Sequence, residues 1–250
     1  LRSRGLGDVY KRQFDKGMIY RGHKPVHWCK HCHTALAEAE IEYSDETSPS
    51  IFVRFEMTSK PAGLENFDGP VDFIIWTTTP WTIPSDQAVS LKPGAAYVAV
   101  EHDGRAEVML EDLAPKCCEE FGWEYTPVMV DGKPYVVPAE TFHHIHYKQP
   151  IFDGVEGVAL LADYVGVDDG TGIVHNSPGH GVDDYFACLK EGITDICMPV
   201  DDDGKFYTGE EFGTGGPFSG MDTDEANPHI IEFLRERGTL VLEKKITHSY

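Results

Sequence analysis

Residues 71–82 read VDFIIWTTTPWT, and a second segment, residues 170–185, reads GTGIVHNSPGHGVDDY. The first is a run of strand-forming residues that ends in hydroxyl groups and then meets a proline. The second combines two histidines, two adjacent carboxylates and four glycines in a pattern typical of a strand, a turn and a helix. Polar side chains where strands end are a common way to build a site on a rigid scaffold. We therefore expect the two segments to form one functional site.

The composition is that of an ordinary globular protein. The chain has 250 residues, of which 41% are apolar and 25% charged, enough for one large or two small domains. No apolar run approaches the roughly 18 residues needed to span a bilayer, and no signal peptide is apparent, so we expect no membrane contact. The net charge of −21 argues against wrapping nucleic acid by bulk electrostatics, so any such contact must be local or supplied by a partner domain.

Six cysteines are too few for a disulfide scaffold, which favours a reducing compartment and a cytoplasmic location. Cys29 and Cys32 form a CxxC motif among histidines. Structural zinc takes four ligands, so this motif is half of a zinc site. Either His27, His31 or His33 completes the site, or the thiols are unliganded.

Short strand-like runs with turn signals between them recur from Ile51 onward and include Tyr125–Val130. This pattern favours a mainly β barrel or sandwich with peripheral helices over an alternating α/β fold. Asp103-Gly104 and Asp131-Gly132 predict hairpin turns.

Two helices are predicted near the candidate site and the end of the chain. Val182–Glu191 places two carboxylates in its first turn. His229–Arg237 is predicted to begin after Asn227 as the cap and Pro228 at the first helical position. Residues 1–13 are basic and lack an amphipathic period, which indicates a tail outside the fold or, alternatively, a basic arm.

The threonines at the end of the first segment are candidates for binding water or substrate. On a strand, Thr77 and Thr79 share one face and Thr78 the other. Their hydroxyl groups can hold a water, a carbonyl or a ribose, since they both donate and accept. The alternative is that β-branched threonines simply suit a strand.

The second segment supplies the titratable candidates. His175 ends an apolar strand and is either functional or a core histidine, whereas His180 is either functional or a turn-stabilising residue. Asp183 and Asp184 project about 100° apart on a helix, so one can face a pocket and bind a ligand ammonium. Alternatively, both are solvated acids of a first helical turn.

Both segments resemble the editing domain, or connective insertion, of class Ia aminoacyl-tRNA synthetases, and within that class the isoleucyl family. The resemblance covers roughly Phe14 to Tyr250 and includes KPVHWC at 24–29, TALAEAE at 34–40 and THSY at 247–250. The valyl and leucyl families carry Arg-Pro where this chain has Thr79-Pro80. The resemblance implies a closed, twisted β-barrel that hydrolyses the ester of valine misattached to the isoleucine tRNA.

Editing is needed because one methylene gives only about 1–3 kcal/mol of discrimination, a limit for which the isoleucyl enzyme is itself the standard example. Carried over to this chain, the family's pattern implies catalytic and substrate-binding roles. The implied catalytic residues are Thr77, Thr78, Thr79, Asp86 and His175. The implied substrate-binding residues are Trp76, His180, Asp183 and Asp184, of which Asp184 holds the α-ammonium. An oriented water is the nucleophile.

The chain departs from the family pattern at two places. Asp86 stands where Asn is expected, and Asn176-Ser177 stands where Thr-Ala is usual. A pocket-facing Asp86 would act as a base on water, or would repel the tRNA phosphate and weaken editing. The alternative function is therefore a catalytically impaired fragment that only binds tRNA or amino acid. A zinc-stabilised interaction module is a third class, based on Cys29 and Cys32 alone.

The resemblance also implies partners and a domain order. The partners are isoleucine tRNA carrying misattached valine and the remaining domains of a larger synthetase. Editing needs no cofactor, ATP and magnesium belong to a synthetic domain whose motifs this chain lacks, and zinc is expected only in the full-length parent. The expected division is a tail over 1–13, a connector over 14–50, the editing domain over 51–238 and a return connector beginning at 239–250.

Overall fold

The structure, a computed structural model, describes residues 5–249, with side chains described for residues 7–247. The chain is mainly β, which confirms the predicted class at that level. The strands of the described residues are β1 (Trp28–Cys29), β2 (Thr34–Ala35), β3 (Asp45–Glu56), β4 (Val71–Thr77), β5 (Ala88–Leu91), β6 (Ala96–His102), β7 (Arg105–Leu110), β8 (Met129–Val130), β9 (Lys133–Pro134), β10 (Val136–Pro138), β11 (His146–Lys148), β12 (Glu156–Leu161), β13 (Ile173–Asn176) and β14 (Leu240–Ser249). The α-helices are α1 (Gly5–Asp15), α2 (Ala114–Phe121), α3 (Val182–Lys190) and α4 (Thr223–Glu236).

Two larger sheets carry the fold. One has six strands in the order β10-β6-β7-β4-β3-β14, and the other has four in the order β11-β12-β5-β13. The β4–β7 and β5–β12 pairs are parallel, and the remaining pairs of these sheets are antiparallel. Isolated backbone contacts link the sheets, where Met57 pairs with Tyr147 and the Leu110 amide donates to Thr171. Both strand orders are open among the described residues, so the closed barrel stays an expectation.

The predicted turns are confirmed, whereas the predicted strand Tyr125–Val130 is too long. Asp103-Gly104 joins β6 to β7, and Asp131-Gly132 joins β8 to β9; all four residues have positive φ, as a two-residue hairpin turn requires. Only Met129–Val130 of the predicted strand Tyr125–Val130 is a strand, because Pro127 offers no amide to a longer ladder.

Helix α4 begins earlier than predicted, so the prediction of Asn227 as its cap is wrong. Its N-cap is Asp222, which accepts from the Asp224 amide at 3.0 Å, and Pro228 lies inside the helix. Asp222 is also bound by Lys30 at 2.7 Å. This long-range ion pair holds the cap residue in place and leaves no signal in the local sequence.

The first described residues form helix α1, which the sequence pattern does not predict. The residues of Gly7–Asp15 are exposed except for the half-buried Gln13. The CxxC motif lies on the β1–β2 hairpin, which the Trp28 indole attaches to the main body by donating to the Asp202 carbonyl at 2.9 Å. The described residues contain no helix long and apolar enough to cross a membrane.

A row of charged side chains crosses β3, β4 and β7 of the six-stranded sheet. Arg105 binds both oxygens of Asp72 at 2.7 Å and also Glu56 at 3.0 Å. Arg54 binds Glu107 at 2.7 Å. The Asp72 and Glu107 side chains are fully buried, and burial raises the pKa of both carboxyls, that of Glu107 to about 7. The two arginines therefore stabilise carboxylates that water cannot reach.

We expect Arg105→Met to lower the free energy of unfolding at pH 8 by about 3 kcal/mol, because Asp72 would remain buried without a cation. Arg237→Met is the matched control, since Arg237 pairs with an exposed Asp153, and it should cost less than about 1 kcal/mol. Burial raises the pKa of Asp72, so the Arg105→Met loss should shrink at pH 5, where that carboxyl can take up a proton. Urea unfolding measures the free energy of unfolding of both variants. Equal losses of this free energy in Arg105→Met and Arg237→Met would contradict the prediction.

Candidate functional site

The site forms where the chain crosses from one large sheet to the other. Strand β4 of the six-stranded sheet ends at Thr77, a 3-10 helix spans Pro80–Ser85, and the chain then enters β5 of the four-stranded sheet. Strand β13 pairs with β5, with His175 opposite Val89. This crossover brings the threonine segment and the histidine segment of the sequence together.

Thr82 joins the two segments. Its hydroxyl donates to the Thr79 carbonyl at 2.8 Å and lies 3.0 Å from His175 Nε2. The Thr79 amide donates to Thr77 Oγ1 at 3.1 Å, and the hydroxyls of these two threonines are 3.2 Å apart. Thr77 is buried, whereas Thr78 and Thr79 are half-buried. The threonines are thus ordered by local hydrogen bonds beside a histidine distant in sequence.

Asp86 lies behind His175. One of its oxygens is 3.3 Å from His175 Nδ1, and the other accepts the Tyr147 hydroxyl at 2.5 Å. Its side chain is fully buried and that of His175 is 8% exposed. The hydrogen bonds to His175 and Tyr147 thus turn the Asp86 carboxyl inward, so the condition that Asp86 faces the pocket is not met.

Hydrogen bonding and burial affect which atoms of this cluster carry protons. The Thr82 hydroxyl has one proton and gives it to a carbonyl, so His175 Nε2 must donate to Thr82. Burial raises the pKa of the Asp86 carboxyl, and the hydrogen bond from His175 opposes that shift. The Asp86 carboxyl therefore holds its proton to a higher pH than a solvated aspartate does.

Asp184 lies in the first turn of α3 and is held by neutral donors. One oxygen accepts from the Tyr164 hydroxyl and from Asn176 Nδ2, both at 3.1 Å, and the other accepts from the Ser177 amide at 3.0 Å. Ser177 also donates its hydroxyl to the Thr82 carbonyl at 2.7 Å. A Cβ on Gly181 would lie 2.5 Å from the carboxylate, so this approach requires glycine. These contacts orient the carboxylate without neutralising its charge.

His180 lies at the edge of the site, with its ring 4.7 Å from that of Trp81 in an edge-on arrangement. Burial lowers the pKa of His180 to about 4, so it is neutral at pH 7, and its buried Nε2 has no hydrogen-bond partner among the described residues. A cavity of about 360 Å³ lies between His180 and Val182 on one side and the connector residues Lys24–His27 and Tyr43 on the other. His180 thus lines the cavity with a neutral ring.

Two predicted site residues lie apart from this cluster. Trp76 points to the other face of β4, where its indole donates to Ser50 at 2.8 Å and packs on Gly170. It lines a separate cavity of about 240 Å³ formed with residues 166–174. Asp183 is exposed on the outer side of α3.

Cys29 and Cys32 lie together on the β1–β2 hairpin, where the Cys32 amide donates to Cys29 Sγ at 3.3 Å. That hydrogen bond is the main cause of the lowered pKa of the Cys29 thiol. A lowered thiol pKa suits metal binding. Among the described residues, no third His, Cys, Asp or Glu ligand atom joins this pair, so the present ligands supply half of a tetrahedral site.

The sequence pattern did not assign roles to the residues that connect the site. Thr82 and Ser177 lie within the quoted segments, and the spacing of Thr82 three residues after Thr79 suits a side-chain hydrogen bond to a preceding carbonyl. Tyr147 and Tyr164 lie in other strands or loops. Only the fold brings these hydroxyls to Asp86 and Asp184.

Comparison with known proteins identifies the family of the chain. The family model "tRNA synthetases class I (I, L, M and V)" matches residues 3–226. The chain belongs to this family. The match begins inside the segment 1–13 that the sequence predicts to be a tail.

The relatives of this class I synthetase chain are isoleucine–tRNA ligases. The chain is 41% identical over 242 residues to that of Acholeplasma laidlawii, covering 97% of this chain and 25% of the relative. It is 44% identical over 236 residues to that of Nitratidesulfovibrio vulgaris, covering 94% of this chain and 24% of the relative. The chain thus spans about a quarter of the length of these curated relatives.

The fold of the class I synthetase chain resembles that of a solved editing domain. The P. falciparum cytosolic leucyl-tRNA synthetase editing domain superposes with a TM-score of 0.56 at 11% identity, covering 78% of this chain and 98% of that domain.

We expect Asp86→Asn to change how stability depends on pH. Because burial raises the pKa of Asp86, the folded chain holds a proton that the unfolded chain loses, so native stability falls as the pH rises from about 4 through the folded pKa. Asparagine removes this titration. The free energy of unfolding of Asp86→Asn relative to the native chain should therefore rise by on the order of 1 kcal/mol between about pH 4 and pH 8.

Urea unfolding across this pH range measures the difference. Asp195→Asn, at an exposed carboxylate, is the control and should show no such trend. A pH-independent difference between Asp86→Asn and the native chain would contradict a raised pKa of the Asp86 carboxyl.

Proposed function

We propose that this chain is the editing part of an isoleucine–tRNA ligase and hydrolyses the ester of valine misattached to isoleucine tRNA. The observation that carries the proposal is the convergence of the threonine segment, His175 and Asp184 through the hydrogen bonds of Thr82 and Ser177. The similarity to isoleucine–tRNA ligases and to a leucyl editing domain supports the same function.

Asp184 recognises the α-ammonium of the misattached amino acid. Its carboxylate is half-buried and its hydrogen-bond donors are neutral, so a ligand cation would meet an uncompensated charge in a fixed orientation. Hydrogen bonds between charged groups are about twice as strong as neutral ones. The carboxylate also lies in the first turn of α3, where the N-terminal end of the helix dipole favours negative charge.

The threonine segment and His175 place the ester and the attacking water. Water adds to the ester carbonyl, the bond to the ribose oxygen breaks, and valine and a free tRNA hydroxyl leave. Thr78 and Thr79 are half-buried and offer hydroxyls at this position, while Thr82 orients both the Thr79 carbonyl and His175. Positioning and preorganised dipoles supply the rate enhancement, so no covalent protein intermediate is needed.

The proposal includes the wider setting of the family. The two sheets would act as the closed, twisted barrel expected from the resemblance, and the remaining synthetase domains in the cytoplasm would dock the tRNA, because a chain of net charge −21 attracts it poorly. Editing itself uses no cofactor. ATP and magnesium would serve the synthetic reaction elsewhere in the parent, and Cys29 and Cys32 would need further ligands there to hold zinc.

We expect the chain to deacylate Val-tRNA for isoleucine and to spare Ile-tRNA. Asp184→Asn should slow the valyl reaction about 10- to 100-fold, because a hydrogen bond to a charged group contributes about 1.5–3 kcal/mol. Asp183→Asn is the matched control, since its carboxylate is exposed on the same helical turn, and it should change the rate less than about twofold. Single-turnover deacylation with radiolabelled aminoacyl-tRNA measures the rates.

A native chain that leaves Val-tRNA intact, or cleaves both esters equally, would contradict the proposal. Equal effects of Asp183→Asn and Asp184→Asn on the deacylation rate would contradict the role of Asp184 in binding the ammonium, but not the hydrolase function.

The second candidate function is an impaired fragment that binds tRNA or amino acid without hydrolysis. It depends on Asp86 in place of asparagine. The full burial of the Asp86 side chain favours the hydrolase, since a carboxylate enclosed behind His175 does not meet a tRNA phosphate. We expect Asp86→Asn to change the deacylation rate at pH 7 by less than about tenfold, since asparagine can still bond to both neighbours. A native chain without deacylation activity that becomes active on Asp86→Asn would support the impaired fragment instead.

A further inference from the structure

Three metal-ligating side chains converge away from the candidate site. His143 Nε2 and His144 Nε2 lie 3.5 and 3.2 Å from the same oxygen of Glu191, and one ligand atom from each of the three residues lies within 4.8 Å of the others. The side chains of His143, His144 and Glu191 are 31%, 63% and 21% exposed. The cluster is therefore open to solvent on one side and enclosed on the other.

The backbone turns both neighbouring imidazoles the same way. His143 follows the 3-10 helix Ala139–Phe142 as its C-cap residue, and His144 adopts a left-handed φ of 65°. The His144 amide donates to the Ala159 carbonyl of β12 at 2.8 Å, which holds this turn. The two rings are 3.8 Å apart between centroids. Residues other than glycine rarely adopt this conformation, and here it accompanies a pair of convergent imidazole rings.

Hydrogen bonds leave one ligand atom of the cluster without a partner. The buried His143 Nε2 has no hydrogen-bond partner among the described residues, and its 3.5 Å approach to Glu191 is too long for one. Two ligands bound tetrahedrally to zinc at about 2.0–2.1 Å lie about 3.3 Å from each other. The two observed separations from the Glu191 oxygen match that value.

We propose that His143, His144 and Glu191 form a binding site for a zinc-type divalent cation, with the fourth position open to water. Two imidazoles and a carboxylate are a ligand set that such cations favour. The site lies at the C-terminal end of α3, where the helix dipole favours positive charge.

A bound cation would fix the position of α3. Glu191 ends this helix, and His143 and His144 belong to the turn before β11, so the metal would tie the helix to the four-stranded sheet. Asp184 lies near the opposite end of the same helix. The metal would therefore act on the candidate site through helix position and would touch no substrate.

Zinc titration by calorimetry tests the site, using the full chain with Cys29→Ser and Cys32→Ser to remove the thiols that compete for the metal. We expect one zinc ion to bind, and His144→Asn or Glu191→Gln to weaken binding more than about tenfold, since even loss of an outer-shell partner costs about 10- to 100-fold. His146→Asn is the matched control, because His146 lies 3.5 Å from Glu156 in an exposed pair with one histidine. It should leave the affinity unchanged.

Cobalt binding and thermal unfolding provide readouts independent of calorimetry. The chain with Cys29→Ser and Cys32→Ser should give the visible absorption of tetrahedral cobalt with no thiolate charge-transfer band. Zinc should raise the unfolding temperature of this chain but not that of its Glu191→Gln variant. Absence of zinc binding by the chain with Cys29→Ser and Cys32→Ser, or an affinity in Glu191→Gln and His144→Asn equal to that of this parent chain, would overturn the proposal. Circular dichroism establishes that each variant is folded.

Discussion

The hydroxyl of Thr82 connects the two halves of the candidate site. It bonds to the Thr79 carbonyl on one side and to His175 on the other, and the Thr82 carbonyl accepts from Ser177 and from Ser85. These contacts occur inside a 3-10 helix that carries the chain between the two large sheets. Both sheets must therefore be in place before the threonines, His175 and Asp184 come together.

The two aspartates of this site, Asp86 and Asp184, have different roles because their surroundings differ. Asp86 is enclosed against His175 and Tyr147, and burial raises its carboxyl pKa. Asp184 is half-buried at a helix N-terminus and is held by neutral donors. The first holds its proton to a higher pH than a solvated aspartate and positions a histidine. The second offers a negative charge to a ligand, which is why we assign it to the substrate ammonium.

Much of the fold follows from local sequence. Asp-Gly pairs specify the turns at Asp103 and Asp131 because their backbone tolerates positive φ, and the glycine-rich stretch before Val182 predicts the start of α3. Helix α4 shows the limit of this reasoning. Asn227-Pro228 has the pattern of a helix start, yet Asp222 begins the helix because Lys30 binds it from a distant hairpin.

The sequence by itself determined the mainly β class, the hairpins, and the residue types from which a site for an amino-acid ester could be built. These properties depend on side-chain periodicity and backbone preferences over a few residues. Tertiary structure alone decided that Asp86 faces inward, that Trp76 faces away from the threonines, and that His143 and His144 meet Glu191. The reason is that burial and hydrogen-bond partners come from strands and helices distant in sequence, and those contacts determine where each polar side chain points.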